Sequence, residues 1–180
     1  YHLLKKESPT QHMRKFYKEA PRSISTGHHL SHASAGYYTS PYTDAAVLCI
    51  DSIGEWETLS IWKGEGPTLK KVRSQRYPDS VGMWYSAMTQ RIGLIPQEHE
   101  YVLMGMAAIG DPDRLYQRII DDFIAKMPSA DDPYVMFSRD CHRGCKDWAP
   151  DLNSDKDFAD IAAAVQQIYE EIFASLIDYT

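Results

Sequence analysis

The sequence has no apolar run approaching the roughly 20 residues that a membrane-spanning helix requires, so no membrane partner is expected. No secretory signal is visible at its start. There is no basic excess: 19 Lys and Arg stand against 25 Asp and Glu, a formal charge of −6. That balance argues against nucleic acid or an anionic membrane as the main partner. Cysteine is scarce; three residues cannot all pair with one another, which points to a reducing, cytoplasmic setting. There is no internal repeat and no low-complexity tract. What is present is 43% hydrophobic and 12% aromatic residues over 180 positions, enough to bury a core and to exclude a disordered chain. The length fits one domain. A start at Tyr1 and a stop at Thr180 inside an amphipathic pattern nevertheless read as a piece cut from a longer protein.

Residues 1–22 are polar and basic (Lys5, Lys6, Arg14, Lys15, Lys18, Arg22) and carry Pro9 and Pro21, which suggests a short helix and a linker. Small residues from Ile24 to Tyr38 suggest a helix that Ser40-Pro41 closes, because the residue before proline avoids the α region. Ala45 to Asp51 is a continuous apolar run ending in a carboxylate, the pattern of a buried strand. Ser52-Ile53-Gly54 reads as a turn, Glu57 to Lys63 as an alternating strand, Gly64 to Pro67 as a second turn and Leu69 to Tyr77 as a third strand. Together these give an antiparallel three-strand meander. Helices are expected after Asp79 or Ser80 as cap, from Glu98 to Ala108, and from Pro112 through Phe123. Residues 128–151, with three prolines, many aspartates and the Cys141-to-Cys145 segment, read as a loop or lid-like insertion. The final helix is the clearest element: Phe158, Ile161, Ala162, Val165, Ile168, Tyr169, Ile172, Phe173 and Leu176 recur at helical spacing after a cap at Asn153 or Ser154. The order makes an α/β protein, α+β in this window, and suits a ribonuclease-H-like layer of sheet covered by helices.

His28 and His32, four apart on a helix, present both imidazoles on one face within reach of one ion, while His29 points elsewhere. The spacing alone does not separate a metal site from two surface or core histidines. The zinc-protease form is excluded because its second position must be Glu and here is His29. Asp51 ends a buried strand beside a glycine turn. It either joins the histidines around a cation next to a phosphate cradle or caps its own turn through an Asx bond. Cys141, His142 and Cys145 lack a second cysteine pair and read as loop residues. Trp56, Trp62, Tyr77, Trp84 and Tyr85 read as core or rim, not as a stacking platform for nucleic acid.

The stretch from His28 to Thr58 resembles the core motif of the O-carbamoyltransferases of the nodulation and antibiotic-tailoring type. Three segments agree: Tyr77 to Leu94, Glu100 to Gly110 and Asp157 to Ile172. Their order and spacing over residues 28–176 carry more than any one of them. The family's catalytic domain is similar to the universal tRNA threonylcarbamoylation enzyme and has the actin-like ATPase fold, two ribonuclease-H-like halves around a nucleotide cleft. The resemblance implies that residues 1–40 end one half and residues 41–180 form a second, incomplete half. It implies an enzyme that uses ATP and carbamoyl phosphate to make carbamoyl adenylate, then passes the carbamoyl group to a hydroxyl of a small-molecule acceptor. It implies that His28, His32 and Asp51 are metal ligands, for iron or another divalent ion such as magnesium, manganese or zinc. Ser52 and Gly54 would lie along the phosphates, and Glu100, Met104 and Gly105 would line the nucleotide cleft. No catalytic residue is assigned.

Three departures accompany the resemblance. Ser52 stands where the family has Gly, Val102 where it has Lys, and Ala108 and Ile109 where it has Pro and Tyr. The resemblance also implies missing parts: a first strand with an early histidine before Tyr1, a glycine-rich loop and a metal-ligating Asp after Thr180, and a separate carbamoyl-phosphate domain. The chain alone is therefore expected to be inactive. The acceptor would be set by loops such as residues 128–151 and by the missing domain. A homodimer is left open. Two other readings stay in view: a tRNA-modifying relative, disfavoured by the charge of −6, and a non-catalytic nucleotide-binding or scaffold module, motivated by Val102.

Overall fold

The computed structural model describes residues 8–17, 19 and 24–180. Helix α1 (Pro9–Met13) opens with a capping box in which the Ser8 and Gln11 side chains bond each other's backbone amides. Lys5, Lys6, Lys18, Pro21 and Arg22 lie outside the described residues.

Helix α2 (His28–Tyr38) starts at His28, not at Ile24, because Gly27 is its cap and residues 24–27 are exposed with nothing to bury. Strands β1 (Asp44–Gly54), β2 (Glu57–Glu65) and β3 (Thr68–Arg76) form the antiparallel meander in the order β1-β2-β3. The first turn is not Ser52-Ile53-Gly54. Those residues stay in β1, and the chain reverses at Glu55-Trp56, where Glu55 takes φ +60°. The register explains the difference. Ile50 pairs with Leu59 and Gly54 with Glu57, so Asp51, Ser52 and Ile53 together face Thr58, a bulge of three residues against one. The second reversal is at Gly66-Pro67, with Gly66 at φ +54°.

Alternation along the strands splits the sheet into two faces. Val47, Cys49 and Trp62 turn toward Ala33 of α2, while Leu48, Ile50, Leu59 and Ile61 face the main core. That core is built from α3 (Val81–Arg91), α4 (Glu100–Ala107), α5 (Tyr116–Phe123) and α6 (Asp155–Tyr179). Ser80 caps α3 by accepting from the Met83 amide at 3.1 Å. Helix α5 begins at Tyr116, three residues after Pro112–Asp113, because residues 113–115 form a separate turn. Ser154 and Asp157 close a capping box on α6, and Ile161, Ala162, Val165, Ile168, Ile172 and Leu176 are buried along its length, while Phe173 stays exposed.

Residues 128–151 form the expected loop, but one packed into the core and not laid over it as a lid. They are largely irregular, but Val135, Cys141, Cys145, Trp148 and Ala149 belong to the main core. Strands β4 (Ile124–Lys126) and β5 (Met136–Phe137) pair at their start. Burial without a helical or strand period needs another anchor, and Arg91 supplies it. Its buried guanidinium donates to the carbonyls of Trp148, Ala149 and Leu152. A second clasp joins the α4–α5 connection to α6. The buried Asp160 carboxylate accepts from the Asp111 amide (2.8 Å), Lys156 (2.6 Å) and Arg114. Burial pushes the Asp160 carboxyl up, but the bonds from Lys156, the Asp111 amide and Arg114 outweigh it and hold it below the ordinary carboxylate range. Among the described residues no helix is long and apolar enough to cross a membrane.

Two predictions follow from the clasps. Arg91→Met leaves three buried carbonyls without a donor and should cost about 3 kcal/mol, read as a lower urea midpoint at unchanged slope. Asp160 has a depressed carboxyl in the folded state, so its contribution is present above the unfolded value of about 3.9 and is lost as pH falls through the folded one. Asp160→Asn should therefore lose less stability than the wild type between pH 5 and about pH 2, measured by thermal melts.

Candidate metal centre and adjoining cavities

Two imidazoles and a carboxylate meet where α2 crosses the bulge of β1. His28 Nε2 lies 2.7 Å from Asp51 Oδ2 and 2.9 Å from His32 Nε2; His32 Nε2 lies 3.8 Å from Asp51 Oδ2. Ligand atoms from all three fall within 4.8 Å of one another, and no other such group occurs among the described residues. The arrangement overfills its hydrogen-bonding capacity. A single N–H on His28 would have to serve both a carboxylate and the neighbouring imidazole, since one ring nitrogen cannot donate and accept together. Asp51 Oδ1 accepts from the Ser52 amide at 2.7 Å, which turns Oδ2 toward the histidines. Asp51 therefore bonds its neighbour's backbone and joins the cluster at once.

His29 does point elsewhere. It is buried, and its Nε2–H donates to the Glu57 carbonyl at 3.1 Å. Nδ1 is then left to accept from the Ser60 hydroxyl at 2.6 Å, and Ser60 in turn accepts from Trp62 Nε1 at 2.8 Å. Burial, as the largest cause, pushes the His29 imidazole below its usual range and keeps it neutral. This rail fixes α2 to β2 and thereby sets where His28 and His32 project. Gly54 permits the contact: a Cβ there would stand 2.3 Å from the His28 ring and 2.9 Å from that of His29.

On the other side of the bulge, the Ser80 hydroxyl donates to the Ser52 carbonyl at 2.7 Å while capping α3. Gly82 sits so close that a Cβ would meet the Ser52 nitrogen at 2.8 Å. Thr58, opposite the bulge, donates to the Asp79 carbonyl at 2.6 Å. Ser80 was legible only as a helix cap. Its second bond, and the need for Gly82, depend on a register that local pattern does not carry.

Ser52 also lines a cavity of about 510 Å³ with Gly82, Tyr85, Gln97, Glu100, Tyr101, Met104 and Tyr169. The structure thus brings Ser52, Glu100 and Met104 to one wall. Gly54 and Gly105 are not on it: Gly54 lies under His28, and Gly105 is on an exposed part of α4. Glu100 accepts from the Ser86 hydroxyl and the Gln97 amide, both at 2.6 Å. Burial raises its carboxyl, but those two bonds hold it below the ordinary range and ionised at neutral pH. Cys141 and Cys145 are buried free thiols, pushed up to about 11 and about 12 by burial, and belong to no group of metal ligands among the described residues.

Comparison with known proteins agrees over most of the chain. The family described as carbamoyltransferase N-terminus matches residues 3–176. An uncharacterized protein of Synechocystis is 39% identical over 107 residues, which is 59% of this chain and 17% of that protein. The nodulation protein NolNO of Sinorhizobium fredii is 32% identical over 93 residues, 51% of this chain and 14% of its own length. The nodulation protein NolO of Bradyrhizobium diazoefficiens is 28% identical over 102 residues, 57% of this chain and 18% of its own. The matched region spans less than a fifth of each of these relatives.

Gly54→Ala tests the packing beneath the cluster. Its backbone suits alanine, so the cost is steric: the methyl must displace His28 and the edge of α2. A loss of about 1–3 kcal/mol in stability is expected, with altered shifts of the His28 and His32 ring protons by NMR. Unchanged ring shifts would show that the helix does not rest on this glycine.

Proposed function

The chain belongs to the carbamoyltransferase family, within the part described as its N-terminus, and from that premise we propose that it is part of an ATP- and metal-dependent carbamoyltransferase. The enzyme hydrolyses carbamoyl phosphate to carbamate with release of phosphate, joins the carbamate oxygen to the α-phosphorus of ATP with release of pyrophosphate to give carbamoyl adenylate, and delivers the carbamoyl group to a hydroxyl of a small-molecule acceptor. In the transfer the acceptor oxygen forms a bond to the carbamoyl carbon, the bond from that carbon to AMP breaks, and the hydroxyl proton is lost.

The observation that carries this reading is that one bulge supplies both the cluster and the wall of the larger cavity, through Asp51 and Ser52 in succession. The donor set fits a divalent ion. Two neutral imidazoles and one carboxylate are the ligands preferred by iron, manganese or zinc, and the crowded His28 nitrogen is relieved when each lone pair points at a common cation. His28 and His32 would bind through Nε2 and Asp51 through Oδ2. When bound, the ion supplies positive charge that clamps phosphate oxygens.

The chain's own groups do the rest. The Ser52 amide keeps Asp51 oriented. The first turn of α3, with Gly82 on the cavity wall, offers backbone amides and the positive end of the helix dipole to an anion. Tyr85, Tyr101, Tyr169 and Met104 give an aromatic and apolar surface suited to a nucleoside. Glu100, ionised and held on two sides, keeps the start of α4 in place beside it.

The architecture we assign is the ribonuclease-H-like half of an actin-like ATPase fold, with the boundary between halves near residue 40, in the connection from α2 to β1. The support is a three-strand meander with helices on both faces. A cytoplasmic setting is supported by three unpaired cysteines.

Metal content of the intact protein tests the assignment. The wild type should retain one divalent ion per chain through gel filtration, and His32→Ala or Asp51→Asn should weaken its binding at least about tenfold. Ile109→Ser, at an exposed position that is not part of the cluster, should leave metal content unchanged. Equal occupancy in His32→Ala would overturn the ligand set. Absence of ATP-dependent carbamoyl phosphate consumption by the metal-loaded wild type would overturn the activity.

A further inference from the structure

One oxygen of the Glu100 carboxylate has no partner. Both bonds to this side chain, from the Ser86 hydroxyl and from the Gln97 amide, go to Oε1 at 2.6 Å, and Oε2 makes no hydrogen bond or ion pair among the described residues. We propose that Glu100 Oε2 receives the hydroxyl pair of a ribose, so that the cavity of about 510 Å³ selects ribonucleotides over nucleotides whose sugar lacks those hydroxyls. The assignment rests on the nucleoside reading of that cavity given above and adds to it the residue that reads the sugar.

Oε2 is free but not sealed. The fully buried side-chain polar atoms without a partner among the described residues are Trp84 Nε1 and Gln90 Oε1, and Glu100 Oε2 is not one of them. Glu100 itself is half-buried, and the open space it borders is this cavity. Burial raises the carboxyl, but the Ser86 hydroxyl, the amides of Gln97 and of Glu100 itself and the nearby His99 hold it below the ordinary range. The group is therefore ionised at neutral pH and offers only acceptor lone pairs. Its position is fixed before any ligand arrives, since Oε1 is held between α3 and the residues that lead into α4. A carboxylate held in this way needs no reordering to receive a ligand's donors.

Its place along the cavity decides which part of a nucleotide it meets. An ionised carboxylate repels phosphate, so the phosphates belong away from it, at Ser52 and the first turn of α3, beside the metal cluster. Gly82 and Ser86 are one turn apart on α3, about 6 Å along its axis, and Ser86 holds Glu100. Tyr101 and Met104 come to the wall from α4 and Tyr169 from α6, and their apolar faces take the base. The sugar is the part that joins phosphate to base. Its two neighbouring hydroxyls are donors that match the two lone pairs of Oε2. A hydrogen bond to a charged acceptor is roughly twice as strong as one between neutral groups, which is enough to tell one sugar from another.

The test uses the intact, metal-loaded protein and three probes titrated by calorimetry: ADP, 2′,3′-dideoxyADP and inosine diphosphate. The wild type should bind ADP at least about tenfold more tightly than 2′,3′-dideoxyADP. Glu100→Gln keeps an oxygen for Ser86 and Gln97 at nearly the same shape. In this variant the preference for ADP should drop to about threefold or less, with dideoxyADP affinity within about threefold of the wild type and the ratio of ADP to inosine diphosphate unchanged. A Glu100 that only anchored α4 would weaken both adenine nucleotides together and leave their ratio at the wild-type value. Equal binding of ADP and dideoxyADP by the wild type overturns the proposal without any variant. A Glu100→Gln protein that changes the ratio of ADP to inosine diphosphate instead assigns Oε2 to the base amino group and also overturns it. If the wild type binds none of the three, the nucleoside reading of the cavity itself falls, a result distinct from equal binding.

Discussion

Three residues of β1 opposed by one of β2 is the irregularity on which the site depends. Alternation already sends Asp51, after Val47 and Cys49, to the α2 side and Ser52, after Leu48 and Ile50, to the α3 side. The bulge adds a local bend at the point where Asp51 meets the histidines of α2 and the Ser52 carbonyl meets Ser80. Such a distortion leaves backbone groups unpaired by the ladder, and here they are recovered individually: the Ser52 amide by Asp51, the Ser52 carbonyl by Ser80. Gly54 and Gly82 are the corresponding steric allowances, one under each helix.

The rest of the fold holds the two helices still relative to that bulge. Helix α2 is fixed by the His29–Ser60–Trp62 rail, a buried polar chain in which each member has a partner. Helix α3 is fixed from behind by its apolar face and by Arg91, which ties it to the irregular segment carrying His142 and Arg143. Both devices place polar groups inside and depend on complete pairing, because a half-satisfied network would destabilise the core more than an apolar one.

Elements with a strong period were legible from the sequence. The meander and α6 follow from alternation and from i, i+3, i+4 spacing, and His28 and His32 fall on one face of α2 as that spacing requires. Reading Ser52-Ile53-Gly54 as a turn failed for a definite reason. Glycine after a strand signals either a reversal or a close approach, and only the position of α2 decides which. Residues 128–151 are the irregular segment that their composition suggests, but their burial was not legible because the core residues lack any period; an arginine on α3, more than 50 residues away in sequence, anchors them.

The departures from the family pattern take on a different weight once they are placed. Ser52 lies in extended strand and not in a left-handed turn, so its Cβ meets no backbone penalty, and its contribution to the bulge is made through amide and carbonyl groups that glycine also has. Val102 is on α4 between Tyr101 and Leu103, but the cavity wall takes Glu100, Tyr101 and Met104 from that helix. A lysine missing at position 102 therefore removes no charge from the wall. Ala108 and Ile109 follow the end of α4, where both are exposed and the Ile109 amide still finds the Met106 carbonyl at 3.1 Å. Ser52 alone of the departures lies in the bulge and on the cavity wall, where it acts through backbone groups that glycine shares, and none of the departures removes one of the three side chains of the cluster.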